Sequence, residues 1–312
     1  MDSRLRGNGG IYQRECGLAS AAVFAVVSKP ICPYQLGMMK QSPHFQFLAE
    51  QYDAFLLDLW GVVHDGTSLY AGARECLQHL YDLKKQVVLI SNAPRRASKA
   101  QAVLDSLGVG REYYQHIITS GEVAFHALSS PAHLHFRGNE HYYFIGPDRD
   151  ADVLHGLNYQ RAARVNESDF LLNVGFGSEQ DTVADMREVL MEAKARRLTM
   201  LCLNPDMEVV KITGEVFECA GVIAKQYQEI GGEVVWFGKP YAAIYEHAHT
   251  LMGYIEKSKI LAVGDGLHTD IEGANAFGVD SLLIAGGILK GKLPDDLPIK
   301  NTPTYVAPTW RW

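Results

Sequence analysis

Residues 55–63, Phe55-Leu56-Leu57-Asp58-Leu59-Trp60-Gly61-Val62-Val63, are an apolar run broken by one aspartate. An aliphatic stretch of this length reads as a strand buried on both faces, and it delivers Asp58 to its carboxyl end. In open parallel sheets the strand carboxyl ends form the ligand crevice, so Asp58 is a candidate for chemistry there. Taken alone, an aspartate at a strand end is more often a helix cap or a turn former than a nucleophile. The unusual residue is Trp60. Enzymes built around Asp-x-Asp-Gly use the first carboxylate as nucleophile and the second as proton donor. Here the second position holds an indole.

Around this run the chain alternates strand-like and helix-like blocks, the pattern of an α/β protein with a mostly parallel sheet. Strands are expected at Ala54 to Leu59, Gln86 to Ser91 and His116 to Thr119. Helices are expected over residues 72–84 and 95–107, where apolar residues fall on one face, with Gly108 as a helix stop. The grammar returns late in the chain with Val234 to Phe237, a helix from Pro240 to Met252, Ile260 to Val263, a helix from Thr269 to Phe277, and Ser281 to Ala285. Between these halves lies a second α/β set. Its strands are expected at Tyr142 to Ile145, Phe170 to Val174 and Thr199 to Leu203, with helices near 150–156, 180–196 and 216–229. The expected fold is a doubly wound, Rossmann-like parallel core, residues 39–130 plus 235–312, interrupted by an inserted α/β domain at 131–234. Pro131 and Gly238-Lys239-Pro240 mark the crossings.

The bulk properties narrow the function. The chain has 312 residues, 47% apolar and 21% charged, with net charge −7, so it can bury two cores and offers no basic face for nucleic acid. Its five cysteines (Cys16, Cys32, Cys76, Cys202, Cys219) contain no Cys-x-x-Cys pair, and a reducing cytoplasm is the expected compartment. Arg4, Arg6 and Arg14 precede an apolar run from Leu18 to Val27 that superficially resembles a secretory signal. No small-x-small cleavage site follows, and the run is too short to span a bilayer. Residues 1–38 therefore read as an N-terminal extension outside the folded unit, and no membrane association is expected. Oligomeric state is left open, a homo-oligomer included.

Four loops, each after a strand, carry the chemistry. Asp58-Leu59-Trp60-Gly61 is the first. Ser91-Asn92-Ala93-Pro94 offers a hydroxyl and loop amides before a helix, which suits a phosphate. Gly238-Lys239-Pro240 offers an ammonium, and residues 264–270, Gly-Asp-Gly-Leu-His-Thr-Asp, form an acidic loop fit for a hard cation. Each has a plain structural reading as turn or cap, and it is their joint order that points to function. His133-x-His135 and His247-x-His249 lack a third ligand and read as surface or helix residues. Val174-Gly175-Phe176-Gly177 lacks the third glycine of a dinucleotide loop and reads as a turn of the inserted domain. Tyr113-Tyr114, Trp310 and Trp312 read as packing or surface-contact residues.

Asp58-x-x-Gly61, Ser91-Asn92, Lys239 and Gly264-Asp265-x-x-x-Thr269-Asp270 resemble, in order, the four motifs of the haloacid dehalogenase superfamily of phosphohydrolases. The insertion is similar to the α/β C2 cap of its class IIA, NagD-like branch, and Asn204-Pro205-Asp206 and Cys219 to Ile223 are similar to that branch's substrate-facing cap segments. The resemblance implies an aspartyl-phosphate formed on Asp58, and Mg²⁺ held by Asp58, the Trp60 backbone carbonyl and Asp265, with Asp270 behind. It further implies phosphate contacts from Ser91, Asn92 and Lys239, and leaving-group selection by Asn204 and Asp206. The implied ligand is a small phosphorylated metabolite: a sugar phosphate, nucleotide or phosphorylated cofactor. The acid/base role cannot come from Trp60, since indole has one weakly acidic donor and no basic site. His64 and Asp65 are the nearby substitutes, and slow turnover or a good leaving group is expected without one. Two rival functions stay open: carbon–halogen hydrolysis, where halide departs without a proton, and binding of a phosphorylated ligand without turnover.

Overall fold

The computed structural model describes residues 40–41, 44–130, 134, 136–291 and 297–312. The N-terminal extension, the crossing at Pro131, His133 and His135 lie outside them. The first half runs β1 (Lys40–Gln41), α1 (Phe45–Gln51), β2 (Ala54–Asp58), α2 (Ala73–Asp82), β3 (Gln86–Ser91), α3 (Ala97–Ser106), β4 (His116–Thr119) and α4 (Ser120–Ser129). The inserted set follows as β5 (His141–Ile145), β6 (Gln160–Arg161), β7 (Phe170–Asn173), α5 (Arg187–Ala195), β8 (Thr199–Cys202), β9 (Glu208–Val210), β10 (Val216–Glu218), α6 (Ala220–Glu229) and β11 (Glu233–Trp236). The chain ends through α7 (Ala242–Leu251), β12 (Ile260–Gly264), α8 (Glu272–Phe277), β13 (Asp280–Ile284) and β14 (Tyr305–Ala307).

Seven strands form an all-parallel sheet in the order β1-β14-β13-β12-β2-β3-β4, so β2 is an inner strand with β12 and β3 beside it. Strand alternation sorts the side chains into two buried layers. Phe55, Leu57, Val87, Leu89, Leu261 and Val263 pack with α1, α2 and α3. Leu56, Val88, Ile90, Ile260 and Ala262 pack with α4, α7 and α8. Helices thus cover both faces, as a doubly wound core requires. Trp310 closes the first layer edge-on against Phe45 at 5.5 Å, and Trp312 stacks on His79 at 4.3 Å, so the C-terminal tryptophans are packing residues.

The inserted cap has its own parallel sheet, β11-β8-β7-β5-β6, and a separate antiparallel hairpin, β9-β10. Leu171, Met200 and Cys202 pack one face against α5 and α6, while Tyr142, Phe144, Phe170 and Leu172 on the other join the core layer that holds α4.

Three expectations change. Val234 to Phe237 was assigned to the core, but β11 pairs with β8 in the cap sheet. A short, half-buried strand with two valines carries no mark of which sheet it will join. The helix expected at 216–229 begins only at Ala220, because Val216–Glu218 pairs with β9. Near 150–156 there is a 3₁₀ turn at Asp148–Asp150 and no α-helix. Aspartate side chains compete with helical backbone bonding, and here Asp150 instead accepts from Arg95 at 3.2 Å.

Candidate active site

Central placement of β2 brings the four motif loops to one sheet edge. Asp58 ends β2, Ser91 ends β3, and Asp265 follows β12. Asp270 rides a π-helical turn, Leu267–Ile271, that leads into α8. Lys239 arrives from the cap side just after β11, and Phe237 N–H donates to the Cys202 carbonyl to set the exit of that strand. All five polar residues are buried.

Lys239 is the hub. Its Nζ donates to Asp58 Oδ1 at 2.6 Å and to Asp270 Oδ1 at 2.7 Å. Asp58 Oδ1 also accepts from the Leu59 N–H at 2.8 Å. Asp265 Oδ2 accepts from the Ile288 N–H at 2.9 Å, and Asp270 Oδ2 from the Gly266 N–H at 3.1 Å. Gly61, at φ +88, lies so close over Asp265 that an added Cβ would fall 2.1 Å from its Oδ2. Any side chain there would push that carboxylate aside and strain the backbone.

Burial raises the pKa of Asp58 well above the carboxylate range, with Asp270 and Asp265 adding to the rise and Lys239 opposing it. Burial and the neighbouring Asp270 raise Asp265 to about 7. Burial works to lower the pKa of Lys239, but Asp270 and Asp58 overcome it and hold the ammonium. Three carboxylates share one cation, an imbalance that a second cation would correct. Asp58, Asp265 and Asp270 offer oxygen atoms within 4.8 Å of one another, the one such group among the described residues, and hard oxygen donors at that spacing suit Mg²⁺. His247 and His249 take no part. His249 Nε2 lies 2.7 Å from the Ile255 carbonyl, and His247 packs beside His126.

Above the carboxylates lies a cavity of about 970 Å³ between core and cap. Ser91 lies beneath it, its Oγ accepting from the Ala93 N–H at 3.2 Å. The Asn92 side chain is a strut: Nδ2 donates to Asp206 Oδ1 at 2.8 Å and to the Lys239 carbonyl at 3.1 Å, and Oδ1 accepts from the Lys239 N–H at 2.7 Å. Asn204 Oδ1 accepts from the Asp206 N–H at 3.1 Å, which turns the chain so that both residues line the cavity. Burial raises Asp206 to about 6, against the pull of Lys239 and Asn92. The Val174 to Gly177 turn of the cap lines the far end.

The two sequence candidates for acid/base work, His64 and Asp65, are both held within the turn after Trp60. His64 Nδ1 accepts from the Gly66 N–H at 2.8 Å, which fixes the proton on Nε2, and burial lowers the ring's pKa to about 4 despite Asp65. The ring is a neutral donor with no free basic nitrogen. Burial works against the ionised form of Asp65, but bonds from Thr67, Ser68 and Ile212 lower it to about 2. Sequence reading also missed the β9-β10 hairpin, whose Glu208, Val210 and Phe217 form a cavity wall. Its signal was present: Val209-Val210 and Val216-Phe217 flank Thr213-Gly214, a turn pair between short β-branched runs.

A parallel core with a lidded cavity and a carboxylate–lysine cluster at the strand ends defines a hydrolase of the phosphoryl-transfer kind. The family model described as haloacid dehalogenase-like hydrolase matches residues 55–160, and a second, HAD-hydrolase-like, matches residues 236–311. The chain belongs to this family, on its branch of phosphomonoester hydrolases. It is similar to a haloacid dehalogenase-like hydrolase from Brucella suis 1330, at 30% identity and TM-score 0.75, covering 85% of this chain and 98% of that one. It is 27% identical over 238 residues to the sugar-phosphatase AraL of Bacillus subtilis, covering 75% of this chain and 84% of the relative. The fold also matches a glycerol phosphate phosphatase from Mycobacterium tuberculosis solved with magnesium, at 24% identity and TM-score 0.62, over 86% and 76% of the two chains.

Proposed function

We infer that this protein transfers the phosphoryl group of a small phosphomonoester to Asp58 and then to water, with sugar and polyol phosphates the leading substrate class and nucleotides and phosphorylated cofactors beside them. The observation that carries this reading is the Lys239 ammonium bridging Asp58 and Asp270, with Asp265 in the same cluster, beneath the core–cap cavity. The names of the similar sugar and glycerol phosphate phosphatases support the substrate class.

Two donors hold Asp58 Oδ1, which leaves Oδ2 to attack phosphorus as the bond to the leaving oxygen breaks. Ser91 and the Asn92 amide bind the phosphoryl oxygens, and Lys239 offsets charge on Asp58 and the group in transit. Asp58, the Trp60 carbonyl and Asp265 would hold Mg²⁺, with Asp270 fixing their arrangement. When bound, the ion supplies charge neutralisation, the main requirement of this chemistry. Asn204 and Asp206 meet the leaving group from the cap. Water then hydrolyses the aspartyl-phosphate.

With an indole at position 60 the leaving oxygen receives no proton from the usual position, so rate follows leaving-group quality. The test is a panel of aryl phosphates, sugar and polyol phosphates and nucleotides, with and without Mg²⁺. Aryl esters are expected to turn over about 10² to 10⁴ faster than alkyl esters, the span that general acid catalysis supplies elsewhere. Asp58→Asn is expected to abolish turnover, and hydrolysis surviving it would remove the nucleophile assignment. Metal-independent halide release would replace this reading with carbon–halogen hydrolysis.

A further inference from the structure

We propose that Trp60 is a positioning residue that clamps the cap hairpin β9-β10 over the crevice and thereby sets the fit of the substrate. The indole Nε1–H donates to the Val210 carbonyl at 3.0 Å, bridging the loop after β2 to the last residue of β9. Two residues further along the hairpin, the Ile212 N–H donates to Asp65 Oδ2 at 3.2 Å. One core turn therefore grips residues 210–212 by both a carbonyl and an amide. Because both contacts are to backbone, they fix where the hairpin lies whatever its side chains are.

The gripping turn is itself rigid. Asp65 Oδ1 accepts from the Thr67 N–H at 3.0 Å, the Thr67 hydroxyl at 2.8 Å and the Ser68 N–H at 2.8 Å. The six-membered ring of Trp60 lies over Gly66, whose φ of +90 and missing Cβ make room for it, since a Cβ would sit 2.9 Å from the indole. The His64 ring meets the indole edge-on at 6.4 Å. The hairpin, by contrast, has strands of three residues each and pairs with neither sheet. A two-stranded ribbon of that length has little stability of its own, so its position depends on what it docks against. Glu208, Val210 and Phe217 of this ribbon face the cavity, so a shift of the ribbon reshapes the space above Asp58. A side chain at the position that the motif usually gives to proton transfer has become an anchor for the substrate wall.

This inference rests on the phosphatase reading only for its kinetic arm. Trp60→Phe keeps a ring over Gly66 and removes the N–H. In the free protein, amide exchange of residues 208–218 is expected to quicken by about ten-fold, the equivalent of one lost hydrogen bond. With the best substrate of the panel, KM is expected to rise by about the same factor and by more than kcat falls, since what is lost acts on binding. Ile212→Pro, which removes the second donor, is expected to quicken exchange in the rest of the hairpin in the same way. Unchanged exchange in Trp60→Phe overturns the clamp. Faster exchange with unchanged KM overturns its role in substrate fit. Exchange needs no substrate, so a chain that hydrolyses nothing in the panel refutes the catalytic reading and still tests the clamp.

Discussion

Asp206 shows how much one carboxyl's surroundings decide. Burial raises it to about 6, so in the folded chain it ionises about two pH units later than an ordinary aspartate. Below pH 4 folded and unfolded chains both carry it protonated, and it has no influence on stability. As pH rises from 4 through 6 the unfolded chain ionises first, and above 6 the folded chain must hold a disfavoured charge. Asp206→Asn retains an oxygen for the Asn92 Nδ2 donor, so at pH 8 it should stabilise the protein by about 2 to 3 kcal/mol. That advantage should vanish near pH 4. Thermal denaturation across this range, compared with the wild type, checks it, and an unchanged difference at the two ends would contradict the assigned burial. Activity should fall in the same variant, because Asp206 faces the leaving group in the proposed reaction.

Elements hold the site through their ends. Thr119 terminates β4 and caps α4: its Oγ1 accepts from the Glu122 N–H at 3.0 Å and donates to the Arg95 carbonyl at 2.5 Å. Glu122 in turn takes two bonds from Arg96 at 2.9 Å, tying the start of α4 to the loop that begins with Ser91. Thr119→Val keeps the shape and removes both hydroxyl bonds. A loss of about 1 to 2 kcal/mol is expected in urea denaturation, a value at the level of a lost cap. The next residue, Ser120, has its single hydroxyl proton between two acceptors, the Ala93 carbonyl at 2.9 Å and the Leu203 carbonyl of the cap. One helix start thus ties together the loop after β3 and the loop after β8. The helices were legible because amphipathic spacing is local: α2 and α3 fall inside the ranges their apolar residues predict. The hairpin is marked only by the Thr213-Gly214 turn, because three-residue strands are a short pattern that merges easily into the helix that follows.

For the whole molecule, charge balance is the governing quantity. Asp58 and Asp270 pair with one ammonium, Asp265 lies in the same cluster, and the proposed Mg²⁺ would remove the excess negative charge. Because the ion binds the folded state alone, Mg²⁺ at about one hundred times its Kd should add about 2.7 kcal/mol to unfolding. Calorimetry with and without Mg²⁺ measures this, and Asp265→Asn should abolish the metal-dependent part while folding on its own. A stabilisation that persists in Asp265→Asn would place the ion elsewhere. Core and cap are joined by several polar bonds, Asn92 to Asp206, Trp60 to Val210, Ile212 to Asp65 and Arg95 to Asp150. Among the described residues no helix is long and apolar enough to cross a membrane.

By itself the sequence determined the parallel core and the order of the four loops, since buried strands and their punctuation are written in local composition. It also determined that the side chain at position 60 cannot act as a general acid or base, because that follows from indole chemistry alone. Only the tertiary structure decided that β11 belongs to the cap sheet, that His64 is locked as a neutral donor by the Gly66 amide, and that the Asn92 side chain is a strut. It likewise revealed that the Trp60 N–H reaches Val210, 150 residues away. Such contacts depend on where distant backbone groups come to lie, and no local pattern of residue types encodes that.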